Sequence, residues 1–320
     1  MQCCTCLTGK SKCFGLILIF TILSIVLSGC TKSVRKVSYV TDDSAALQAL
    51  SAKDDIAPLQ SKSAQDLVTA GFLYLANKNL KIAELHFVTA IGKDPKLVNA
   101  FIGLGRIELL RSNYSSALSA FGKARALKPD SVPALIGEAQ ALRFEDKLSA
   151  AIEKINAAMM IAPEDINVLK ELAMIYDLMG KETLSAPLYL EIVERTPDQA
   201  QSHNNLGLNL MMRGMYPEAI LSFSQAHKLD RDNLRIKNNL ASAYLLNGNE
   251  RNAIDLFKGT VGEAAAYNNI GYLYMTQGNF DEAEKALNKA LQLNPRHYVR
   301  AQENLETLQE MRRAERPSRL

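Results

Sequence analysis

The 320-residue sequence has few of the residues on which active sites are usually built. All five cysteines lie within the first 30 residues, so residues 31–320 contain no thiol and can form no disulfide. The four histidines are His86, His203, His227 and His297, and the sequence has no zinc-binding, phosphate-binding or nucleophile motif. We therefore predict that the protein is not an enzyme and that it holds no metal and no dissociable cofactor.

The sequence also has little excess of charge of either sign. The formal net charge is +3 at pH 7, and it falls to +1 without residues 1–29, which contain Lys10, Lys12 and no acidic residue. Proteins that bind nucleic acid carry a cluster or stripe of lysine and arginine, and no such run occurs here. The charge distribution therefore argues against nucleic acid as a partner.

What the sequence does contain is an internal repeat with a period of 34 residues. With Gly271 as position 8 of a unit, small residues recur at positions 8 and 20, a large apolar residue at position 24, and proline at position 32 of most units. Position 8 is Gly71, Gly105, Ala139, Ala173, Gly207, Ala241 and Gly271, and position 24 is Phe87, Phe121, Ile155, Tyr189, Phe223, Phe257 and Leu287. Such a period predicts a fold in which one supersecondary unit stacks on the next.

Each unit predicts two amphipathic helices joined by a short turn. In the last unit, residues 264–276 and 280–293 carry apolar residues at helical spacing, a Gln-Gly-Asn turn separates them, and Pro295 ends the second helix. These positions resemble the tetratricopeptide repeat (TPR), although its usual tryptophan at position 4 is absent. The resemblance implies an all-α fold, a right-handed TPR solenoid of about seven helix-turn-helix repeats with a C-terminal capping helix.

The first 30 residues have the pattern of an export signal. Lys10 and Lys12 precede an apolar run from Phe14 to Leu27, which at 14 residues is shorter than the roughly 20 that span a bilayer. The Leu-Ser-Gly-Cys sequence that ends at Cys30 closely resembles the bacterial lipobox. This resemblance implies cleavage before Cys30 and lipid, including palmitate, on the new N-terminus. Because the next residue is not aspartate, it also implies an outer-membrane protein that faces the periplasm. An uncleaved N-terminal anchor is the alternative.

The predicted organisation has four parts. They are a lipoprotein signal peptide (1–29), the lipidated N-terminus with a flexible tether (30–63), the repeats (64–297), and a capping helix with a tail (298–320). The repeats are 64–97, 98–131, 132–165, 166–199, 200–233, 234–263 and 264–297. The sixth repeat is four residues short, so the helix after it should begin early. The cap is predicted from an apolar stripe of Ala301, Leu305, Leu308 and Met311.

The predicted binding surface is the concave face, which the first helix of each unit lines in TPR proteins. Positions 5 and 6 of the last three repeats are asparagine pairs, and an amide both donates and accepts, so a row of them can pair with an extended peptide backbone. The alternative is that these asparagines only stabilise the repeats. The predicted groove residues are Asn204, Asn205, Asn238, Asn239, Asn268 and Asn269, with Arg235 and Lys170 as anion contacts and Met211, Met212 and Tyr272 as an apolar floor. Arg143 is a further predicted anion contact.

A lipobox, a tether and a TPR array with a shortened repeat near its end resemble the TadD-type lipoprotein of tight-adherence (Flp) pilus systems. This resemblance implies a non-enzymatic scaffold at the outer membrane that assists assembly of a Flp or type IV-like pilus or its secretin. The expected partner is a protein or extended peptide, such as a secretin or another pilus component. Pilotins of the PilF/PilW kind share the architecture. The alternative is an NlpI-like periplasmic adaptor that docks cell-wall hydrolases or proteases. We expect the functional surface in repeats 5 to 7 rather than 1 to 3.

Overall fold

A computed structural model describes residues 57–294 and 299–315, and these residues contain α-helices and no strands. The helices pack as consecutive antiparallel pairs, which confirms the predicted all-α TPR solenoid. The predicted signal peptide, Cys30 and most of the tether lie outside the described residues. Within the described ranges, no helix is long and apolar enough to cross a membrane, and no three His, Cys, Asp or Glu side chains are grouped to hold a metal ion.

The chain forms two compact units that divide between Met179 and Gly180, inside the fourth predicted repeat. The first unit contains α1 (Ala57–Gln60), α2 (Ala64–Ala76), α3 (Leu80–Lys93), α4 (Val98–Leu110), α5 (Tyr114–Leu127), α6 (Val132–Phe144), α7 (Leu148–Ile161) and α8 (Ile166–Leu178). The second contains α9 (Glu182–Arg195), α10 (Ala200–Met212), α11 (Tyr216–Leu229), α12 (Leu234–Leu246), α13 (Glu250–Val261), α14 (Glu263–Thr276), α15 (Phe280–Leu293) and α16 (Val299–Glu315).

Aromatic residues at position 24 fill the space between successive pairs in the first unit. The Phe87 ring is fully buried between α2 and α4, where Gly71 and Gly103 face it. A Cβ atom at Gly71 would lie 2.6 Å from the ring, and one at Gly103 would lie closer still. The absence of both Cβ atoms lets the two first helices approach the ring closely, which gives the dense packing of a protein core. Phe121 is held in the same way by Gly105 and Gly137.

The shortened sixth repeat brings two helices directly together. Gly262, with φ of 82°, is the single residue between α13 and α14, whereas other repeats are joined by several residues. Lys258 Nζ lies 2.7 Å from Glu263 Oε1 across this junction. The prediction that the following helix begins early agrees with the start of α14 at Glu263.

The last helix covers the apolar face of the final pair. Ala301 and Leu308 are buried against Leu287, Ala290 and neighbouring core residues, and Leu305 and Met311 pack beside them. Arg312 forms ion pairs with Asp281 and Glu284 on α15 at 2.7 and 3.0 Å. The predicted capping helix is confirmed, because without it this face would be open to solvent.

Candidate peptide-binding site

The predicted asparagine row of the second unit is largely inside the protein. Asn204 is 1% exposed, and Asn238, Asn239 and Asn268 are buried as well. Asn239 Nδ2 donates to Asn204 Oδ1 at 2.8 Å, which joins α10 to α12. Asn304 Nδ2 on the cap donates to Asn268 Oδ1 at 2.9 Å. These bonds join one first helix to the next, so the geometry favours the structural interpretation for Asn204, Asn239 and Asn268.

The Asn238 amide has a comparable role within its own repeat. Thr260 Oγ1 donates to Asn238 Oδ1 at 2.7 Å, which connects the second helix of the sixth repeat to its first. A buried amide oxygen needs such a donor, because leaving it unpaired costs about 1–3 kcal/mol. The pairing explains the residue without a ligand.

The other predicted groove residues are partly or largely exposed, or belong to the other unit. Asn205 is half-buried and accepts from Gln201 Nε2 at 2.6 Å. The half-buried Asn269 has no hydrogen-bond partner for its side chain among the described residues, and Arg235 is exposed. Met211, Met212 and Tyr272 are half-buried, with Tyr272 packed against the core around Phe257. Lys170 belongs to α8 of the first unit.

A groove of about 840 Å³ lies instead in the first unit, along the first helices of its repeats. Its wall is mostly apolar, and two of its large side chains are well exposed, Leu110 at 62% and Phe144 at 51%. The Phe144 ring is stacked on Tyr114 with centroids 5.2 Å apart, so it is held in place despite its exposure. The lining consists of Phe72, Leu75, Ala76, Leu109, Leu110, Phe121, Pro133, Ile136, Gly137 and Phe144, with the polar residues Arg106, Gln140, Arg143, Asp165 and Asn167.

The repeat register explains why these residues share one face. Phe72, Arg106 and Gln140 stand 34 residues apart at position 9 of three successive units. Residues three and four positions further along each helix lie on the same side, one turn away. For α4 these are Leu109 and Leu110, both of which line the groove. The period of the sequence therefore places equivalent residues side by side along the groove of the first unit.

Two of the three charged side chains in the groove are already compensated. Arg143 Nε lies 2.5 Å from Glu171 Oε1, and both side chains are almost entirely buried. Its guanidinium also lies 4.4 Å from the centroid of the Phe144 ring. Asp165 Oδ1 accepts from the backbone amides of Asn167 and Val168 at the start of α8. The prediction that Arg143 contacts a ligand anion is therefore corrected, because Glu171 occupies its guanidinium.

Arg106 is the charged groove residue without such a partner. The guanidinium lies 5.6 Å from the centroid of the Phe72 ring, and no carboxylate among the described residues forms an ion pair with it. Arg106 as a whole is exposed, although burial of part of its side chain lowers the pKa of the guanidinium from its ordinary value, and arginine stays protonated in proteins. The groove thus contains one uncompensated positive charge beside an aromatic ring.

Two amide side chains also line this groove and remain available. Gln140 and Asn167 form no side-chain hydrogen bond with another described residue. Sequence reasoning passed over Arg106 and Gln140 because it followed the asparagine pairs at positions 5 and 6. Position 9 of the second and third repeats, an inner position of the same register, was the signal that could have found them.

Comparisons with known proteins support the same fold. Residues 200–233 and 264–297 each match the family model of the tetratricopeptide repeat. The chain is 27% identical over 195 residues to TPR repeat-containing protein PA4667 of Pseudomonas aeruginosa, covering 60% of this chain and 28% of that protein. It is 28% identical over 123 residues to Tetratricopeptide repeat protein 37 of Xenopus laevis, covering 38% of this chain and 8% of that protein. The chain therefore spans less than a third of the length of either relative.

Solved structures match over most of the repeat region. A tetratricopeptide repeat protein from Parabacteroides merdae is 17% identical with a TM-score of 0.54, and the match covers 77% of this chain and 98% of that one. The structure of Pseudomonas aeruginosa pilF is 22% identical with a TM-score of 0.52, covering 68% of this chain and 99% of that one. These similarities show a shared TPR fold.

Proposed function

We propose that the protein is a non-enzymatic scaffold, lipid-anchored to the outer membrane, that holds a segment of a protein partner in the groove of the first unit. Its role is to assist assembly of a Flp or type IV-like pilus or its secretin. The observation that carries the binding role is the groove itself, in which Leu110 and Phe144 are exposed beside the unpaired amides of Gln140 and Asn167.

The groove has the chemistry that a bound peptide requires. Ligand sites are concave, largely apolar and commonly between about 300 and 1,000 Å³, with a few polar groups that set orientation. Exposed Leu110 and Phe144 would bury apolar side chains of the partner, which is favourable at about 25 cal/mol per Å² of apolar surface. The amides of Gln140 and Asn167 can donate to and accept from the peptide backbone.

Site-specific photo-crosslinking in cells tests the groove. A photoreactive amino acid at Leu110 should give discrete crosslinked products, because this side chain lines the groove. The matched control is Met160, which is 87% exposed on α7 and lies outside the groove. Equal products from both positions, or none from Leu110, would refute groove binding.

The crosslinked products also separate the pilus role from its alternative. Pilin, secretin or another pilus component, identified by mass spectrometry, supports the proposal. Products containing cell-wall hydrolases or proteases would assign the protein to the adaptor class instead.

The lipid anchor is supported by the lipobox that ends at Cys30. Cys30→Ser should release the protein from the membrane fraction and abolish incorporation of labelled palmitate, because the acyl chains supply the membrane affinity, about 0.8 kcal/mol per buried CH₂. Cys13→Ser is the control, because it changes a thiol in the segment that cleavage would remove. Label retained by Cys30→Ser would place the modification elsewhere.

A further inference from the structure

The charges in the groove of the first unit indicate what kind of segment it binds. Of the three charged side chains that line it, Arg143 is neutralised by Glu171 and Asp165 caps α8, so only Arg106 is uncompensated. We propose that Arg106 is a carboxylate subsite, and that the bound segment carries Asp or Glu next to a large apolar residue. This inference rests on the proposed function, because it names the partner chemistry of the same groove.

The surroundings of Arg106 favour an anion over a neutral group. Arg106 is exposed overall, but the Phe72 ring takes water from one side of its guanidinium, and Asp165, the one carboxylate that lines the groove, caps α8 instead. A carboxylate would restore the lost interactions, because its two oxygens match the guanidinium fork and accept charge-assisted hydrogen bonds. Bonds of this kind are about twice as strong as those between neutral groups.

The same helix explains why an apolar residue should accompany the acid. Leu109 and Leu110 follow Arg106 by three and four positions, so the apolar wall begins one helical turn from the guanidinium. The Cβ atoms of such neighbours are about 5–6 Å apart, a separation that adjacent residues of a peptide can bridge. An acidic residue with a large apolar neighbour would therefore satisfy both features at once.

The positive charge of Arg106 is complementary to an acidic residue, and the proposed occupant is a segment of another protein. The chain has acidic pairs of its own, Asp42-Asp43 and Asp54-Asp55, which lie outside the described residues. These acidic pairs could compete with a partner for the groove, so the experiment includes a variant that removes their charge.

The test is a selection of peptides on the full-length chain in detergent, using a random peptide library displayed on phage. We expect the enriched peptides to contain Asp or Glu beside a large apolar residue. A synthetic enriched peptide should bind about tenfold more tightly than its Asp→Asn or Glu→Gln form. With Arg106→Gln this difference should vanish, whereas Lys128→Gln, which removes an exposed charge outside the groove, should preserve it.

The possible failures are distinguishable. Peptides that bind the native chain and bind Leu110→Glu equally well would contradict the groove, and with it the proposed function. Enriched peptides without an acidic residue, or an acidic preference that persists in Arg106→Gln, would overturn only the carboxylate subsite. Tighter peptide binding after Asp42, Asp43, Asp54 and Asp55 are all changed to Asn would show that the chain's own segment occupies the groove and would overturn the separate partner.

Discussion

At the scale of single residues, glycines determine the closest contacts between repeats. Gly71 and Gly103 leave room for the Phe87 ring between two first helices, and a methyl group at either position would overlap it. Glycine in a helix interior normally weakens the helix by about 0.5–1 kcal/mol relative to alanine. At these sites, packing must outweigh that preference.

Gly103→Ala should therefore destabilise the protein by about 1–3 kcal/mol, because the added methyl group overpacks the core against Phe87. Denaturant unfolding provides the measurement. Gly92→Ala is the control, since a Cβ there meets nothing within 4 Å on an exposed part of α3, and alanine should leave stability unchanged or raise it slightly. Equal effects of the two substitutions would contradict the packing argument.

Tyr274 gives the second unit a dependence on alkaline pH. Burial, followed by the negative charge of Glu250, raises the pKa of Tyr274 to about 12 from an ordinary value of 10.0. Because the folded state holds this proton more tightly, the contribution is fully present below about pH 10 and is lost as the pH rises towards 12. Comparing the stability of native and Tyr274→Phe proteins across this range should show a shallower loss in the variant. A parallel loss would assign the dependence to other groups.

At the scale of elements, the turns inside the repeats adopt the same left-handed backbone conformation with different residues. The second residue after the first helix has positive φ in each described repeat, and it is Lys78, Ser112 or Asp146 in the first three but glycine in the later ones. In the sequence, the turn of the last repeat is recognised by its Gln-Gly-Asn segment. The sequence could not predict the strain at Lys78, because lysine rarely adopts a left-handed backbone conformation and is not a signal for one.

Lys78→Gly should raise stability by up to about 1 kcal/mol, because it relieves a left-handed conformation that costs most residues roughly 1–2 kcal/mol. The greater freedom of glycine in the unfolded chain offsets part of the gain. Thermal unfolding measures the change. Gly214→Ala, at φ of 74° with open space around it, should have the opposite sign. A loss of stability in Lys78→Gly would show that another contact of the lysine outweighs the strain.

At the scale of the whole molecule, the stability of each repeat depends on the repeats next to it. An array of this kind has no single core, and each pair is stabilised chiefly by the pairs beside it. In the second unit the cap buries Leu308 at 1% exposure against the last pair. The end of the array therefore depends on one helix.

Leu308→Asp should weaken the end of the array, because it places a charge where the last pair needs an apolar surface. Hydrogen exchange should accelerate in residues 263–315, and the increase should become smaller towards earlier helices. Gln309→Asp, at an exposed neighbouring position, should leave exchange unchanged. Uniform loss of protection along the chain would contradict nearest-neighbour stabilisation.

The sequence by itself determined the helices, their pairing, the capping helix and which residues are equivalent between repeats, because these follow from local periodicity and a 34-residue register. Only the tertiary structure decided which side chains of the first helices remain available for a ligand. Asn204 and Asn239 are 35 residues apart yet bonded, and Arg143 meets Glu171 across 28 residues. Such pairings depend on how neighbouring helices pack, which periodicity does not encode. Because these pairings occupy the asparagine row and Arg143, the candidate site is the groove that contains Arg106.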